Sequence, residues 1–191
     1  MVRYRELGLP AREAGAINSL ANIYDEQKDR LKAIETYTRA LSLFPSQAGY
    51  ILRNRANQYL HLKDVDNAVR DIEAAAKLQP DNAYLFLRRG QLALLQGRYA
   101  EALAHFAAAL ARYPRMNSAC FGIGLAHLRA GQATEALAAY EQGLSFTDSP
   151  SDLDDALEEL ESLKHEANAP VGAEDALRLL LEWKEQRQVH R

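Results

Sequence analysis

Residues able to do chemistry are few in this 191-residue chain, and they do not gather. The five histidines, His61, His105, His127, His165 and His190, fall one to an element, with no H-E-x-x-H pair and no carboxylate or cysteine at metal-ligand spacing. The one cysteine, Cys120, occupies an apolar position of a helical stretch, where a free thiol serves as a small packing group. A single cysteine excludes an internal disulfide framework and suits a reducing compartment, so a cytoplasmic location is expected. No G-x-x-x-x-G-K-[ST] loop and no G-x-S-x-G elbow occurs, and Gly122 and Gly124 lie inside a helix, where they favour close packing. The chain is therefore expected to be no enzyme and to need no cofactor and no metal. Its chemistry is that of a surface made of arginines, tyrosines and side-chain amides.

The elements that position this surface are legible between Ala83 and Met116. A helix from about Tyr84 to Gln96 is ended by Gly97, which can adopt positive φ, and a second from Tyr99 to Tyr113 is stopped by Pro114. Gly90 on the first helix and Ala102 and Ala109 on the second let two backbones approach, and Phe106 fills the space left. Such a hairpin cannot bury its apolar face alone and calls for neighbours. Pro114 and Pro80 are 34 residues apart, and Pro80 and Pro45 are 35 apart. Small residues repeat with this step as Ala21, Ala56, Gly90, Gly124; as Ala33, Ala68, Ala102, Ala136; and as Ala40, Ala75, Ala109, Gly143. The bulky column between them is Tyr37, Ile72, Phe106, Tyr140.

This spacing of small, small, bulky, small and Pro resembles the tetratricopeptide repeat (TPR). The repeats span 14–47, 49–82, 83–116 and 117–150, preceded in 1–13 by the tail of an earlier helix and the start of repeat one. The resemblance implies an all-α, right-handed superhelical solenoid of antiparallel helical hairpins, with first helices lining the concave face. Where the family carries Trp, this chain has Ile17, Leu52, Phe86 and Cys120; where it carries Leu, the middle repeats have Arg55 and Arg89. Lys28 and Lys63, each followed by Asp, replace the turn glycines found at Gly97 and Gly131. His127 takes an aromatic position, which implies a packed core imidazole. One extra residue near Ala48 accounts for the step of 35.

Composition agrees. The chain is 48% hydrophobic and 26% charged, with no apolar run of transmembrane length, so no membrane partner is expected. Met1–Glu13 lacks the apolar run of a secretory signal. Val2–Gly8 reads as the last turns of a helix already under way, as if the chain begins inside a longer array. Y-R-E-L-G followed by A-R-E-A is similar to the repeat arrays that act as sensor regions in bacterial STAND-class signalling ATPases.

From Ser151 to Arg191 there are 11 acidic residues and 5 Lys or Arg, a balance of −6, against −3 for the whole chain, so the first 150 residues carry +3. This segment, 151–191, reads as a capping hairpin. Its first helix is capped by Ser149 or Ser151 with a stripe of Leu153, Leu157, Leu160 and Leu163. Its second runs from Ala173 to Gln188 with Ala173, Ala176, Leu177, Leu180 and Leu181 inward. The acidic stretch is read as a solvated face, or else as a cover in cis for the basic body. Leu179 and Trp183 lie off that inner stripe and are a candidate contact with another copy, so the oligomeric state stays open.

The function implied by the resemblance is a protein-interaction scaffold binding an extended, acidic or carboxylate-ended segment in the concave groove. Family ligand positions correspond here to Asn18, Asn22, Tyr50, Arg53, Asn54, Asn57, His61, Tyr84, Arg88 and Gln91. Ser118, Phe121, Leu125 and Arg129 would extend the groove with a more apolar floor. Arg53 and Arg88 could each form a charge-assisted pair with a carboxylate. Of the carboxylate-holding set of chaperone-binding members, Asn22, Asn54 and Arg88 match, while Asn18 and Tyr84 stand where lysines do. Two alternatives are an oligomerisation or intramolecular sensor module of a larger bacterial signalling protein, and an RNA-binding helical repeat. The net charge of −3 and pI near 6.0 oppose nucleic acid as a partner.

Overall fold

The computed structural model describes residues 10–188, all of whose regular structure is helical. Ten α-helices occur among the described residues. They are α1 (Pro10–Glu26), α2 (Arg30–Leu43), α3 (Ala48–His61), α4 (Val65–Leu78), α5 (Ala83–Leu95), α6 (Tyr99–Arg112), α7 (Asn117–Arg129), α8 (Ala133–Ser145), α9 (Asp154–Lys164) and α10 (Ala173–Gln188). Short 3-10 turns at Pro45–Gln47 and Pro150–Leu153 precede α3 and α9. The segment Val2–Gly8, and with it the expected tail of an earlier helix, lies outside the described residues. The chain divides into two compact units, Met1–Arg88 and Arg89–Arg191.

Unit one pairs α1 with α2 and α3 with α4, and α2 packs on α3. The small-residue columns do what their spacing predicts: Ala21, Ala33, Ala40, Ala56, Ala68 and Ala75 are all buried. Tyr37 joins Ile17, Ile51 and Phe44 in one apolar cluster. The turns inside the hairpins adopt left-handed backbone although glycine is missing, with φ +57° at both Lys28 and Lys63. The aspartates that follow offset part of this strain by capping the next helix. Asp29 accepts the Lys32 N–H and Asp64 the Asn67 N–H, each at 3.2 Å.

Arg55, the departure from the family's Leu, is not a defect in packing. Its guanidinium donates to both carboxylate oxygens of Asp71 at 2.7 and 2.8 Å and to Thr38 Oγ1 at 2.9 Å, tying α3 to α4 and α2. A buried pair with this fork geometry and a further acceptor is fully satisfied, so the charge is tolerated where an apolar side chain was expected.

Unit two is packed around aromatic wedges. An added Cβ at Gly90 or Gly122 would lie 2.4 or 2.5 Å from the Phe106 ring, and one at Gly124 would lie 2.6 Å from Tyr140, so each glycine makes room for a ring. The turns at Gly97 and Gly131 have φ of +70° and +76°. Cys120 is fully buried, and burial pushes its thiol up to about 11, as a packing role requires. His127 differs from the expected core imidazole. It is half-buried at the end of α7, where its Nδ1 lies 2.8 Å from Gln132 Oε1 across the turn.

The expected serine cap of α9 is displaced: Ser149 precedes the 3-10 turn, where its N–H donates to Asp152 at 3.0 Å, and α9 itself starts after Leu153 with no side-chain cap. Leu153, Leu160 and Leu163 join Tyr140, Leu128, Ala176 and Leu180 in the unit-two core. Leu181 does not: it is 40% exposed, because the face of α10 rotates so that Leu179 and Trp183 pack against the cluster instead. These two residues are thus half-buried, with the Arg187 guanidinium 4.7 Å from the Trp183 ring centre, and they form no open apolar strip.

Candidate ligand-binding site on the first helices of unit one

Helix α3 carries the centre of the site. Its first two turns present Tyr50 and Arg53, and the start of α5 presents Tyr84 one repeat later. The guanidinium carbon of Arg53 lies 5.3 Å from the ring centre of each tyrosine. A cation at that distance is attracted by the negative ring faces, increasingly so as water is removed. Arg53 is only 9% exposed, much deeper than a groove-wall side chain would be. Burial lowers its affinity for its proton, while the phenol groups of Tyr50 and Tyr84 act the other way. Its one protein acceptor among the described residues is neutral: Nη1 donates to Gln79 Oε1 at 3.2 Å. Two other guanidiniums of unit one are matched by carboxylates, Arg55 by Asp71 and Arg30 by Asp25, while the exposed Arg70 donates to the amide oxygen of Asn67 at 2.8 Å. Among the described residues Arg53 is a buried cation with two aromatic faces and no paired acid.

Beside it lies a second polar cluster built on the buried Tyr37 hydroxyl of α2. That hydroxyl donates to Asn22 Oδ1 at 3.0 Å, and Asn54 lies in hydrogen-bonding range of it. The charge of Arg88 acts on the same hydroxyl. Two of the expected ligand amides therefore have an internal role, joining α1, α2 and α3, because an otherwise buried phenol needs a partner. Tyr50 and His61 are half-buried, Tyr84 is 43% exposed, and Asn57 is buried at 8% exposure. The side chain of Asn18 lies outside the described residues, and Gln91 falls in unit two. Gln79 was missed by sequence reasoning. Its only signal is Gly49, where a Cβ would come within 2.9 Å of the Gln79 side chain, so a glycine at the helix start makes room for that amide.

The expected continuation of the groove into repeat four is corrected. Phe121 is 5% exposed and Leu125 half-buried, both in the core shared with the capping hairpin. Ser118 is exposed, and Arg129 donates to Glu166, with Nη2 to Oε1 at 2.6 Å. Pairing with Glu166 holds the Arg129 charge firmly on its guanidinium. No group of metal-ligating side chains occurs among the described residues, and no helix among them is long and apolar enough to cross a membrane.

Comparison with known proteins follows the hairpins. The tetratricopeptide-repeat family profile matches residues 18–83, 53–117 and 87–152 in three overlapping pairs of repeats. The chain is 32% identical over 98 residues to the protein O-mannosyl-transferase TMTC1 of Mus musculus, covering 50% of this chain and 10% of that protein. It is 38% identical over 76 residues to the small glutamine-rich tetratricopeptide repeat-containing protein 2 of Saccharomyces cerevisiae, covering 40% and 22%. The chain thus spans between about a tenth and a fifth of the length of these relatives. Among solved structures, a thermophilic TPR protein of Thermus thermophilus, TTC0263, superposes with a TM-score of 0.65 at 18% identity over 88% of this chain and 98% of that one. The Cut9–Hcn1 hetero-tetramer of the APC/C gives 0.65 at 20% identity over 88% and 36%. At these identities the structures establish the all-α repeat fold, and the family profile covers well over half of the sequence. The chain belongs to the tetratricopeptide-repeat family, whose members serve in general as protein-interaction scaffolds.

Proposed function

We propose that this chain is a non-catalytic scaffold that holds an extended acidic segment of a protein partner against the first-helix face of unit one. The observation that carries this reading is Arg53, a buried guanidinium flanked by Tyr50 and Tyr84 whose acceptor among the described residues is the neutral Gln79 amide. A buried charge is costly unless it is paired, and a ligand carboxylate supplies the missing partner. Arg88, Asn57 and the exposed edge of Tyr84 lie on the same helices and furnish secondary contacts for a peptide running along them.

Selection of peptides from a random display library on the intact chain tests the reading. Recovered sequences are expected to be rich in Asp and Glu, and Arg53→Ala and Arg88→Ala should each weaken them by about 1–3 kcal/mol. The loss should diminish as salt rises, since part of the attraction is screened. Binders that are neutral or basic, or indifferent to both substitutions, would remove the site from this face.

A further inference from the structure

The bond between Arg53 and Gln79 is long for a guanidinium donor and its acceptor is uncharged. Gln79 is the C-terminal capping residue of α4, where its backbone N–H is already used by Ala75 O, and its side chain is exposed and bears no load in the core. The side-chain amide rests against Gly49 at the start of α3, a position only a residue without Cβ leaves open. A flexible, exposed amide thus occupies the acceptor place of a buried cation whose two other neighbours are aromatic rings.

The geometry points to Gln79 as a place-holder: its Oε1 occupies the position on Arg53 that a ligand carboxylate takes, so Gln79 decides whether that cation is available. This rests on the acidic-segment reading and adds its gate. A carboxylate oxygen makes a shorter, charge-assisted bond to the same N–H, roughly twice as strong as that of an amide, and displaces Gln79 into water, where its own amide is solvated at little loss. The carboxylate comes from a side chain or from a chain terminus, and the chemistry at Arg53 is the same for both.

Gln79→Glu brings the carboxylate into the chain itself. Glutamate at the C-terminal end of α4 is disfavoured by the helix dipole, so any gain in stability has to come from Arg53. The full chain carrying Gln79→Glu is expected to melt about 2–4 °C above the parent at pH 7. The paired carboxylate has its folded pKa below the unfolded value of about 4.3, so its contribution is present above that pH and is lost as pH falls through the folded pKa. At pH 3 the two chains should melt together. In an Arg53→Met background Gln79→Glu should give no gain at either pH. A variant that melts at or below the parent at pH 7, or a gain that survives Arg53→Met, overturns the place-holder.

Fluorescent hexaglutamate with both ends blocked and hexa-alanine with a free C-terminus separate the two carboxylate sources. Whichever binds the parent should bind Gln79→Glu about tenfold or more weakly and Gln79→Ala at least as well as the parent. Undiminished binding by Gln79→Glu overturns the place-holder. If neither peptide binds the parent, the acidic-segment reading falls, and the melting comparison alone decides the role of Gln79.

Discussion

The two units solve one turn in two ways. In unit one the residue that must take left-handed backbone is lysine, at positions 28 and 63, and the following aspartate caps the second helix. In unit two the residue is glycine, at 97 and 131, and the following Arg98 and Gln132 make no side-chain capping bond. The lysines cost conformational strain that the aspartates repay in capping, whereas the glycines avoid the strain and forgo the cap. The helix that follows enters with closely similar backbone, with ψ of 72° at Asp29, 80° at Asp64, 66° at Arg98 and 72° at Gln132. Turn geometry is therefore imposed by the packing of the hairpin, and the local sequence only chooses how it is stabilised. First-helix arginines are answered differently too. Arg129 in unit two is met by Glu166 and Arg55 in unit one by Asp71, whereas Arg53 is met by an amide.

The largest effect should come from the core of unit two. Phe106→Ala removes a fully buried ring that fills the space at both Gly90 and Gly122, and should cost about 3–5 kcal/mol in urea unfolding. A cost below about 1 kcal/mol would mean that the glycines do not rely on the ring. Next, Asp64→Ala should destabilise unit one by about 1 kcal/mol through loss of the cap. Hydrogen exchange at the start of α4 would show whether the loss is local.

The turns themselves supply the direct reciprocal test. Lys63→Gly should stabilise by about 0.5–1 kcal/mol, and Gly131→Ala should destabilise by a similar amount, because only the first relieves positive φ. Equal signs in the two melting experiments would end the comparison between the units. The smallest effect belongs to the exposed pair: Arg129→Ala should cost about 0.2–1 kcal/mol and lose even that in high salt.

The fold was legible because its determinants are local. Ala21, Ala56, Gly90 and Gly124 recur at one step since each marks the place where two helices of a hairpin touch, and every member of that column is buried. The observed α5 and α6 begin and end within a residue of the limits read from Gly97 and Pro114. The site was legible only in outline. The arginine and both tyrosines could be placed on first helices, but the burial of Arg53 depends on Tyr84 and Gln79 approaching from elsewhere in the fold, and no periodicity carries that. The bonds that Asn22 and Asn54 make to the Tyr37 hydroxyl were illegible for the same reason, since the bulky column predicts a ring and says nothing of its hydroxyl. Leu181 failed because Leu177, Leu179, Leu180 and Leu181 crowd one stretch of α10, and apolar type alone does not say which of them meets the core.

One irregularity of the repeat shows where such a chain can change length. The linkers before α3, α5 and α7 each have four residues, and the step of 35 is met by α3, which begins at Ala48 and has 14 residues where α5 and α7 have 13. The added residue lengthens the helix at its leading end. A residue inserted in the middle of α3 would turn everything beyond it by about 100° and carry Ala56 off its neighbour. At the leading end the rotation falls on nothing downstream, and the columns from Ala56 to Ala75 keep their register. Insertions and deletions in this chain should therefore be neutral at the starts of first helices and ruinous a turn further in, so the seams between repeats are where the lineage could gain or lose residues without losing the fold.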